Sequence, residues 1–244
     1  MNFNYEKNWA SKGAAGVIGC DEVGRGSLAG PVVAAAAVLP IARSEHQLLW
    51  KEIKDSKLLT AEKRSELSEL IKQHAQWSIG VVSEKIIDEI NIHNATLLAM
   101  RRAVEGLLSS VIPTESDVLK DERRNPLADE ILTFKRSLHS DALSRDDKRG
   151  LIIAVDGKFT IPNLNVPQEA IIGGDNKVIS IAAASIIAKV YRDELMCRLH
   201  KAHPLYNFAK HKGYGTAEHC EAIVKHGLSP LHRLTFCSRL LPLS

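Results

Sequence analysis

The chain has 244 residues, of which 45% are hydrophobic and 25% charged, and its formal net charge at neutral pH is +3. This length and apolar content suffice for a buried core in one large domain or two small ones. The small net charge permits a nucleic-acid partner without requiring one, so a phosphate-binding surface has to come from local clustering of basic residues.

The cysteines and the apolar runs restrict where the protein works. Cys20, Cys197, Cys220 and Cys237 form no C-x-x-C pair and no disulfide framework. No stretch has the order of a signal peptide, and no apolar run reaches the length of a membrane span. We therefore expect a cytoplasmic protein that acts without a membrane. We also expect a monomer with no obligate protein partner.

The first predicted strand leads into two adjacent carboxylates. The apolar run over residues 14–18 continues to Asp21 and Glu22, and a glycine-rich turn connects these acids to a second apolar run over residues 32–39. Apolar runs bounded by Gly and Pro are typical of buried strands, so this pattern predicts a strand, a turn and a partner strand.

The acid pair is the first sign of chemistry. Two charges about 4 Å apart repel by roughly 4 kcal/mol at an effective dielectric constant near 20, unless a cation lies between them. Because successive strand residues point to opposite faces, Asp21 and Glu22 can reach one ion only if the strand ends or bulges there. A charged hairpin end is the ordinary explanation of an isolated pair, so other acids have to decide between the two interpretations.

Three helices, one strand and a charged segment follow. The elements are a helix from the N-cap Thr60 to about His74, a strand over residues 77–82, a helix from Ser83 to about Ile90, and a helix over residues 94–108. Residues 109–150 then mix acidic and basic side chains with little apolar pattern. Such a composition is typical of a mobile surface insertion, and a partner-binding arm is the alternative.

The second half returns to apolar strands that end in acids. A strand over residues 151–155 ends at Asp156, and a strand over residues 170–172 leads through two glycines to Asp175. A long helix over residues 179–201 is apolar nearly all round in its first half, which predicts burial against a sheet. A basic glycine-rich loop over residues 210–215 and a last helix from Thr216 to about His226 complete the pattern. Strands alternating with helices predict an α/β domain with a central sheet.

The acids at these strand ends indicate a metal site. If the strand ends meet at one edge of the sheet, Asp21, Glu22, Asp156 and Asp175 converge. Oxygen ligands without nearby Cys or His suit hard cations such as Mg²⁺ or Mn²⁺. Two such ions about 3.5–4 Å apart are the usual arrangement for in-line phosphodiester hydrolysis.

Other patterns favour less specific interpretations. The glycines between Gly24 and Gly30 lack the spacing of a phosphate-binding fingerprint, and a strand follows them, which argues against a nucleotide site. Three helix residues could hold zinc, but they are more typical of an ordinary basic helix end: Cys197, His200 and His203. Asp193 either joins the acids or forms a salt bridge with Arg192, Lys189 or another neighbour.

Six motifs carry a resemblance to one family, in that family's order across most of the chain. They are Asp21-Glu22-Val23-Gly24-Arg25-Gly26-Ser27-Leu28-Ala29-Gly30-Pro31; Asp55-Ser56-Lys57; Val155-Asp156-Gly157; Gly174-Asp175 with residues 181–193; His211-Lys212-Gly213-Tyr214-Gly215-Thr216; and Ser229-Pro230-Leu231-His232-Arg233. These motifs resemble those of bacterial ribonuclease HII, the type 2 ribonuclease H. The 109–150 segment is longer than expected for that family.

The resemblance implies a fold and an activity. The fold is a ribonuclease H-like mixed central sheet flanked by helices, with a catalytic domain over residues 1–200 and a helical C-terminal part over residues 201–244 that contributes to substrate binding. The activity is endonucleolytic cleavage of the RNA strand of RNA–DNA hybrids, including single ribonucleotides embedded in duplex DNA, with 3′-hydroxyl and 5′-phosphate products.

The resemblance also implies roles for particular residues. Asp21, Glu22, Asp156 and Asp175 become the metal-binding acids. The backbone of Gly24, Arg25 and Gly26 together with Tyr214 reads the ribose 2′-hydroxyl, the group that distinguishes RNA from DNA. Four lysines, ordinary surface side chains by default, would position phosphates without reading sequence: Lys57, Lys177, Lys189 and Lys212.

Two other functions stay open at this point. One is a related metal nuclease that acts on branched or nicked DNA, which a comparison of all-DNA and ribonucleotide-containing duplexes would separate. The other is a nucleic-acid-binding module without catalysis, against which the intact set of acids argues.

Overall fold

The computed structural model describes residues 3–40, 50–53, 56–110, 150–238 and 240. Its centre is a five-stranded sheet in the order β3-β2-β1-β4-β5. The strands are β1 (Gly16–Val23), β2 (Val32–Val38), β3 (Gln76–Val82), β4 (Leu151–Asp156) and β5 (Gln168–Ile171). β2 pairs antiparallel with β1 and β3, whereas β4 pairs parallel with β1 and β5. The predicted mixed central sheet is therefore confirmed.

Helices surround this sheet. They are α1 (Asn4–Ser11), α2 (Ala61–His74), α3 (Glu84–Ser110), α4 (Ile179–Ala202), α5 (Phe208–His211), α6 (Ala217–His226) and α7 (Leu234–Cys237). Short 3-10 turns lie at Trp50–Glu52, Ser56–Leu58, Gly174–Asn176 and Pro204–Tyr206. Among the described helices, none is both long enough and apolar enough to cross a bilayer.

Both faces of the sheet are buried, as the alternation along β2 shows. Ala34 and Ala36 pack into an apolar cluster with α3, whereas Ala35 and Ala37 pack into a second cluster with α2 and the first half of α4. The small side chains let α4 come very close to the sheet. A Cβ atom on Gly19 of β1 would lie 2.0 Å from the carbonyl carbon of Ser180, so only glycine fits there. This close contact fixes α4 against the strand that carries Asp21 and Glu22.

The predicted helix boundaries are confirmed with one refinement. The Thr60 hydroxyl accepts a hydrogen bond from the Lys63 amide and caps α2, and Thr216 caps α6 in the same way. The two helices predicted over residues 83–108 are one run, α3, that is interrupted by a kink at Asn91. Asn91 has a φ of 66°, and its side chain accepts a hydrogen bond from the Asn94 amide, so it caps the second half. Residues 111–149 of the predicted insertion lie outside the described residues.

Candidate active site

Three carboxylates meet at the carboxyl ends of β1 and β4. These two strands are parallel neighbours, and the pairing of Cys20 with Val155 places Asp21 and Asp156 next along the two strands. One oxygen from each of Asp21, Glu22 and Asp156 lies within 4.8 Å of the others. In the part of the chain that the structure describes, this is the one group of three or more His, Cys, Asp or Glu residues with metal-binding spacing.

The acids meet without a β-bulge. The pairing of β1 with β2 runs without interruption from Ile18–Val38 to Val23–Val33, so the alternative that the strand bulges is wrong. The other alternative holds, because β1 ends at Val23, one residue after Glu22. The two carboxylates therefore approach each other at the end of a regular strand.

Burial gives this acid group its electrostatic character. Asp21 is only 5% exposed, and burial raises the pKa of its carboxyl well above the usual range, with a further increase from the charges of Glu22 and Asp156. Hydrogen bonds from the Ser185 side chain and the Glu22 amide partly oppose this increase. Burial also raises the pKa of Glu22, which Arg25 opposes through an ion pair at 3.1 Å. A partly buried set of mutually repelling carboxylates, whose ligand atoms are all oxygens, fits a divalent hard cation.

Asp175 lies beside this group but does not belong to the set within 4.8 Å. It is 4% exposed in the short turn that follows β5, and its Oδ1 accepts a hydrogen bond from the Asn176 side chain at 3.1 Å. The preceding amide, that of Gly174, donates to Asp156 Oδ1 at 2.6 Å. The structure thus brings three of the four predicted acids together. The fourth, Asp175, directly follows the glycine whose amide orients Asp156.

The predicted ribose-reading residues adjoin each other. The turn of Gly24, Arg25 and Gly26 follows β1 directly, and Gly24 has a φ of 90° that favours glycine. Ser27, the next residue, forms an antiparallel bridge with Tyr214. Tyr214 is 37% exposed, so its ring is accessible to a ligand. The turn is also tied to the acid group by the Arg25–Glu22 ion pair.

Each predicted phosphate-binding lysine whose side chain the structure describes forms an ion pair or a hydrogen bond within the protein. Lys189 forms an ion pair with Asp193 at 2.7 Å, which decides the question left open for Asp193 in favour of a salt bridge. The Lys177 ammonium donates to the Ile172 carbonyl at 2.6 Å, and that of Lys212 donates to the Ala209 carbonyl and to Cys197 Sγ. The Lys57 side chain lies outside the described residues.

The zinc alternative gains no support. Cys197, His200 and His203 do not form a metal-binding group within the described parts of the chain. All four cysteines are free.

Two buried arginines hold the turn after β1, although the sequence patterns gave Arg233 no role and offered Arg192 only as one of the candidate partners of Asp193. Arg192 is fully buried and donates to the Ser27 hydroxyl at 2.9 Å and to the Pro31 carbonyl at 3.0 Å, and its guanidinium lies 5.6 Å from the centre of the Tyr214 ring. Arg233 is buried to the same degree beneath the turn that follows β1. The sequence did contain a signal for each. Arg192 interrupts the apolar pattern of a helix, and Arg233 lies in a family motif without an assigned role.

Comparison with known proteins identifies the family. The model of the family described as Ribonuclease HII matches residues 18–132 and 130–240. A protein named Ribonuclease HII from Caldicellulosiruptor saccharolyticus is 38% identical over 240 residues, which cover 98% of this chain and 95% of that protein. The chain belongs to the ribonuclease HII family. It is therefore a metal-dependent ribonuclease, and family membership supports endonucleolytic action on RNA–DNA hybrids.

Solved structures share the fold of this ribonuclease HII chain. The structure of Bst-RNase HIII in complex with Mn²⁺ has a TM-score of 0.65 and 19% identity, and the match covers 95% of this chain and 71% of that one. The PCNA:RNase HII complex from Archaeoglobus fulgidus has a TM-score of 0.58 and 24% identity, covering 93% and 98% of the two chains. At these identities the likeness concerns the fold alone, and it confirms the predicted fold class.

Proposed function

We propose that this enzyme hydrolyses the RNA strand of RNA–DNA hybrids and also cleaves at single ribonucleotides embedded in duplex DNA, by a two-metal-ion mechanism. The observation that carries the proposal is the group of Asp21, Glu22 and Asp156 within 4.8 Å, next to a glycine turn and an accessible tyrosine. A metal site and a sugar-reading surface that share one strand end can place the scissile phosphate beside the ribose that marks it.

The three acids would hold Mg²⁺ or Mn²⁺, with Asp175 adjacent as the fourth proposed ligand. When bound at such a site, divalent cations activate water and stabilise the leaving oxygen of a phosphodiester, which gives 3′-hydroxyl and 5′-phosphate ends. The protein prepares the ligands in advance. The Glu22 amide donates to Asp21 Oδ1 at 2.7 Å and the Gly174 amide donates to Asp156 Oδ1, so both carboxylates are oriented before any ion arrives.

Recognition of RNA would come from the turn and from Tyr214. The absence of side chains at Gly24 and Gly26 lets backbone groups approach a sugar closely. A site that hydrogen-bonds one hydroxyl can reject the analogue that lacks it by about 10⁴–10⁵-fold. Tyr214 can pack its ring on a sugar or base while its hydroxyl makes a polar contact. Together these groups would make cleavage depend on one 2′-hydroxyl.

The phosphate contacts and the C-terminal part complete the proposal. The four lysines Lys57, Lys177, Lys189 and Lys212 would contact phosphates, which requires the three described lysines to leave their present partners. We place the catalytic domain at residues 1–200 and assign substrate binding to residues 201–244, because Tyr214 and Arg233 from this part lie against the turn.

One cleavage experiment tests the proposed function. End-labelled DNA duplexes with and without a single ribonucleotide are incubated with the enzyme, in EDTA and in Mg²⁺ or Mn²⁺. We expect one metal-dependent cut at the ribonucleotide, with 3′-hydroxyl and 5′-phosphate ends. Equal cleavage of the all-DNA duplex would indicate a DNA nuclease, and metal-dependent binding without cleavage would indicate a silent binding module; either result contradicts the proposal.

A further inference from the structure

Arg233 is a fully buried arginine that forms no ion pair with a described residue. Its guanidinium bonds only to backbone carbonyls of the turn after β1. Nη2 donates to Gly24 at 2.7 Å and to Gly30 at 2.8 Å, Nη1 donates to Arg25 at 2.8 Å, and Nε donates to Gly30 at 3.0 Å. Taking a charge out of water is costly unless its N–H groups are paired, so these bonds are what keep Arg233 inside.

The bonds from Arg233 determine the direction of the turn's amides. The C=O and N–H of a planar trans peptide group point in opposite directions, and the described residues contain no cis peptide bond. Because the Gly24 carbonyl points inward to Arg233, the Arg25 amide points outward. Because the Arg25 carbonyl also points inward, the Gly26 amide points outward as well. Neither amide donates to any acceptor in the described part of the chain.

These outward amides lie at the site already described. The residue between the two glycines, Arg25, pairs with Glu22 of the acid group, and the residue after them, Ser27, bridges to Tyr214. The turn is held from a second side by Arg192, which bonds to the Ser27 hydroxyl and the Ala29 carbonyl. Two neighbouring N–H donors that point away from Arg233 therefore lie in the turn between the acid group and the exposed tyrosine.

The charge of Arg233 also strengthens these donors. Burial and the nearby charge of Arg192 lower the pKa of Arg233 to about 10, so its guanidinium remains protonated at neutral pH. A cation bonded to a carbonyl polarises the whole peptide group and makes hydrogen bonds along the chain cooperative. The two outward amides are consequently better donors than those of an ordinary exposed turn.

We propose that Arg233 is a positioning residue for substrate specificity, which holds the Gly24 and Arg25 carbonyls inward so that the Arg25 and Gly26 amides donate together to the 2′-oxygen of a ribose. The inference rests on the proposed function, in which this turn reads the 2′-hydroxyl. Arg233 itself does not touch the substrate. Its effect is on discrimination between ribose and deoxyribose, and not on metal binding.

The test measures that discrimination in binding. In an Asp156→Asn background, which we expect to slow cleavage enough for a binding measurement, fluorescence anisotropy gives the dissociation constants for two duplexes that differ by one 2′-hydroxyl. We expect Arg233→Lys, which keeps the charge but lacks the fork, to lower the deoxy-to-ribo ratio of dissociation constants by about 10- to 10²-fold. Affinity for the all-DNA duplex should stay within about threefold. The matched control Arg101→Lys alters an arginine paired with Glu105 on the helix surface and should leave the ratio unchanged.

Each outcome of this test has a defined meaning. A ratio of one with Arg233 in place contradicts the proposed ribose reading and this inference with it. A high ratio that Arg233→Lys retains, even with a lower melting temperature, overturns the inference alone, because a merely structural role weakens binding to both duplexes equally.

A second measurement needs no Arg233 variant and remains available if that variant fails to fold. Amide hydrogen exchange at Arg25 and Gly26 should slow at least tenfold on adding the ribonucleotide duplex and stay unchanged on adding the all-DNA duplex. Equal protection by both duplexes, or protection by neither, overturns the inference.

Discussion

Asp21→Asn should stabilise the metal-free enzyme, although it removes a proposed metal ligand. Two charges 4.8 Å apart repel by about 3.5 kcal/mol at an effective dielectric constant of 20. The destabilisation of the folded state by this repulsion cannot exceed about 4 kcal/mol at pH 7. That is the cost of protonating a carboxyl whose pKa in the unfolded chain is about 3.9, and protonated Asp21 no longer repels its neighbours. Asn keeps the oxygen that accepts from the Glu22 amide. We therefore expect a gain of about 1–3 kcal/mol in the free energy of unfolding, at about 2–4 °C of melting temperature per kcal/mol.

The pH dependence of this gain has a definite sign. The pKa of Asp21 is raised in the folded state, so the native protein binds more protons than the unfolded chain, and its stability falls as the pH rises above about 4. The variant lacks this titration. The gain of Asp21→Asn over wild type in the free energy of unfolding should therefore be absent near pH 4 and grow towards pH 7.

Differential scanning calorimetry with EDTA and with Mn²⁺ tests this reasoning. A bound ion stabilises the folded wild-type protein by mass action, so Mn²⁺ should raise its melting temperature and raise that of Asp21→Asn much less. Asp193→Asn is the matched control, because Asp193 is paired with Lys189 and its loss should give no stabilisation. The reasoning is refuted if Asp21→Asn is less stable than wild type in EDTA, or if Mn²⁺ stabilises both proteins equally.

Three further predictions address the turn, a cap and a buried histidine. A Cβ atom on Gly26 meets nothing within 4 Å, so Gly26→Ala should have the melting temperature of wild type, yet its kcat/KM should fall about 10²-fold because the methyl group would collide with the substrate. Gly150→Ala, whose Cβ is equally unobstructed, should keep full activity, and equal kcat/KM values for the two variants would contradict the role of the turn. Asp88 accepts from the Leu234 and Thr235 amides at the start of α7, so Asp88→Ala should cost about 1 kcal/mol in urea denaturation, and an unchanged midpoint would contradict this role. Burial lowers the pKa of His232 to about 4, so neutral His232 contributes up to about 3 kcal/mol to the free energy of unfolding, fully above pH 6.5 and progressively less as the pH falls towards 4. In urea denaturation, the stability difference between wild type and His232→Asn should therefore change between pH 6.5 and pH 4, and a constant difference would contradict this prediction.

Sequence patterns predicted the elements that rest on local chemistry. Thr60 was predicted as an N-cap because a hydroxyl before an apolar-periodic run satisfies an amide of the first turn, and Thr216, predicted only as the start of a helix, caps in the same way. The alanines of β2 belong to the apolar run over residues 32–39 that predicted the second strand. The metal-site hypothesis also came from local patterns, because each acid follows an apolar run and parallel strand ends meet at one edge.

What the sequence could not provide is long-range pairing of polar groups. Arg233 lies more than 200 positions from Gly24 and Arg25, and nothing local distinguishes a buried arginine that bonds carbonyls from an exposed one. Of the two lysines on α4 and in the loop that follows α5, only one shows the same limit. The Lys212 ammonium donates to Cys197 Sγ, a partner 15 positions away that the fold brings near, whereas Lys189 and Asp193 lie four residues apart on one helix and their salt bridge was among the alternatives read from the sequence.

The central claim is that the acids at the ends of β1 and β4 hold the ions that cleave RNA, and Asp156→Asn tests it most directly. Cleavage of a duplex with one ribonucleotide is compared between this variant and wild type at equal Mg²⁺, with binding and melting temperature measured in parallel. The account predicts a rate lower by about 10²–10³-fold or more, with duplex binding still measurable and no loss of stability. Full cleavage activity in Asp156→Asn would contradict the account.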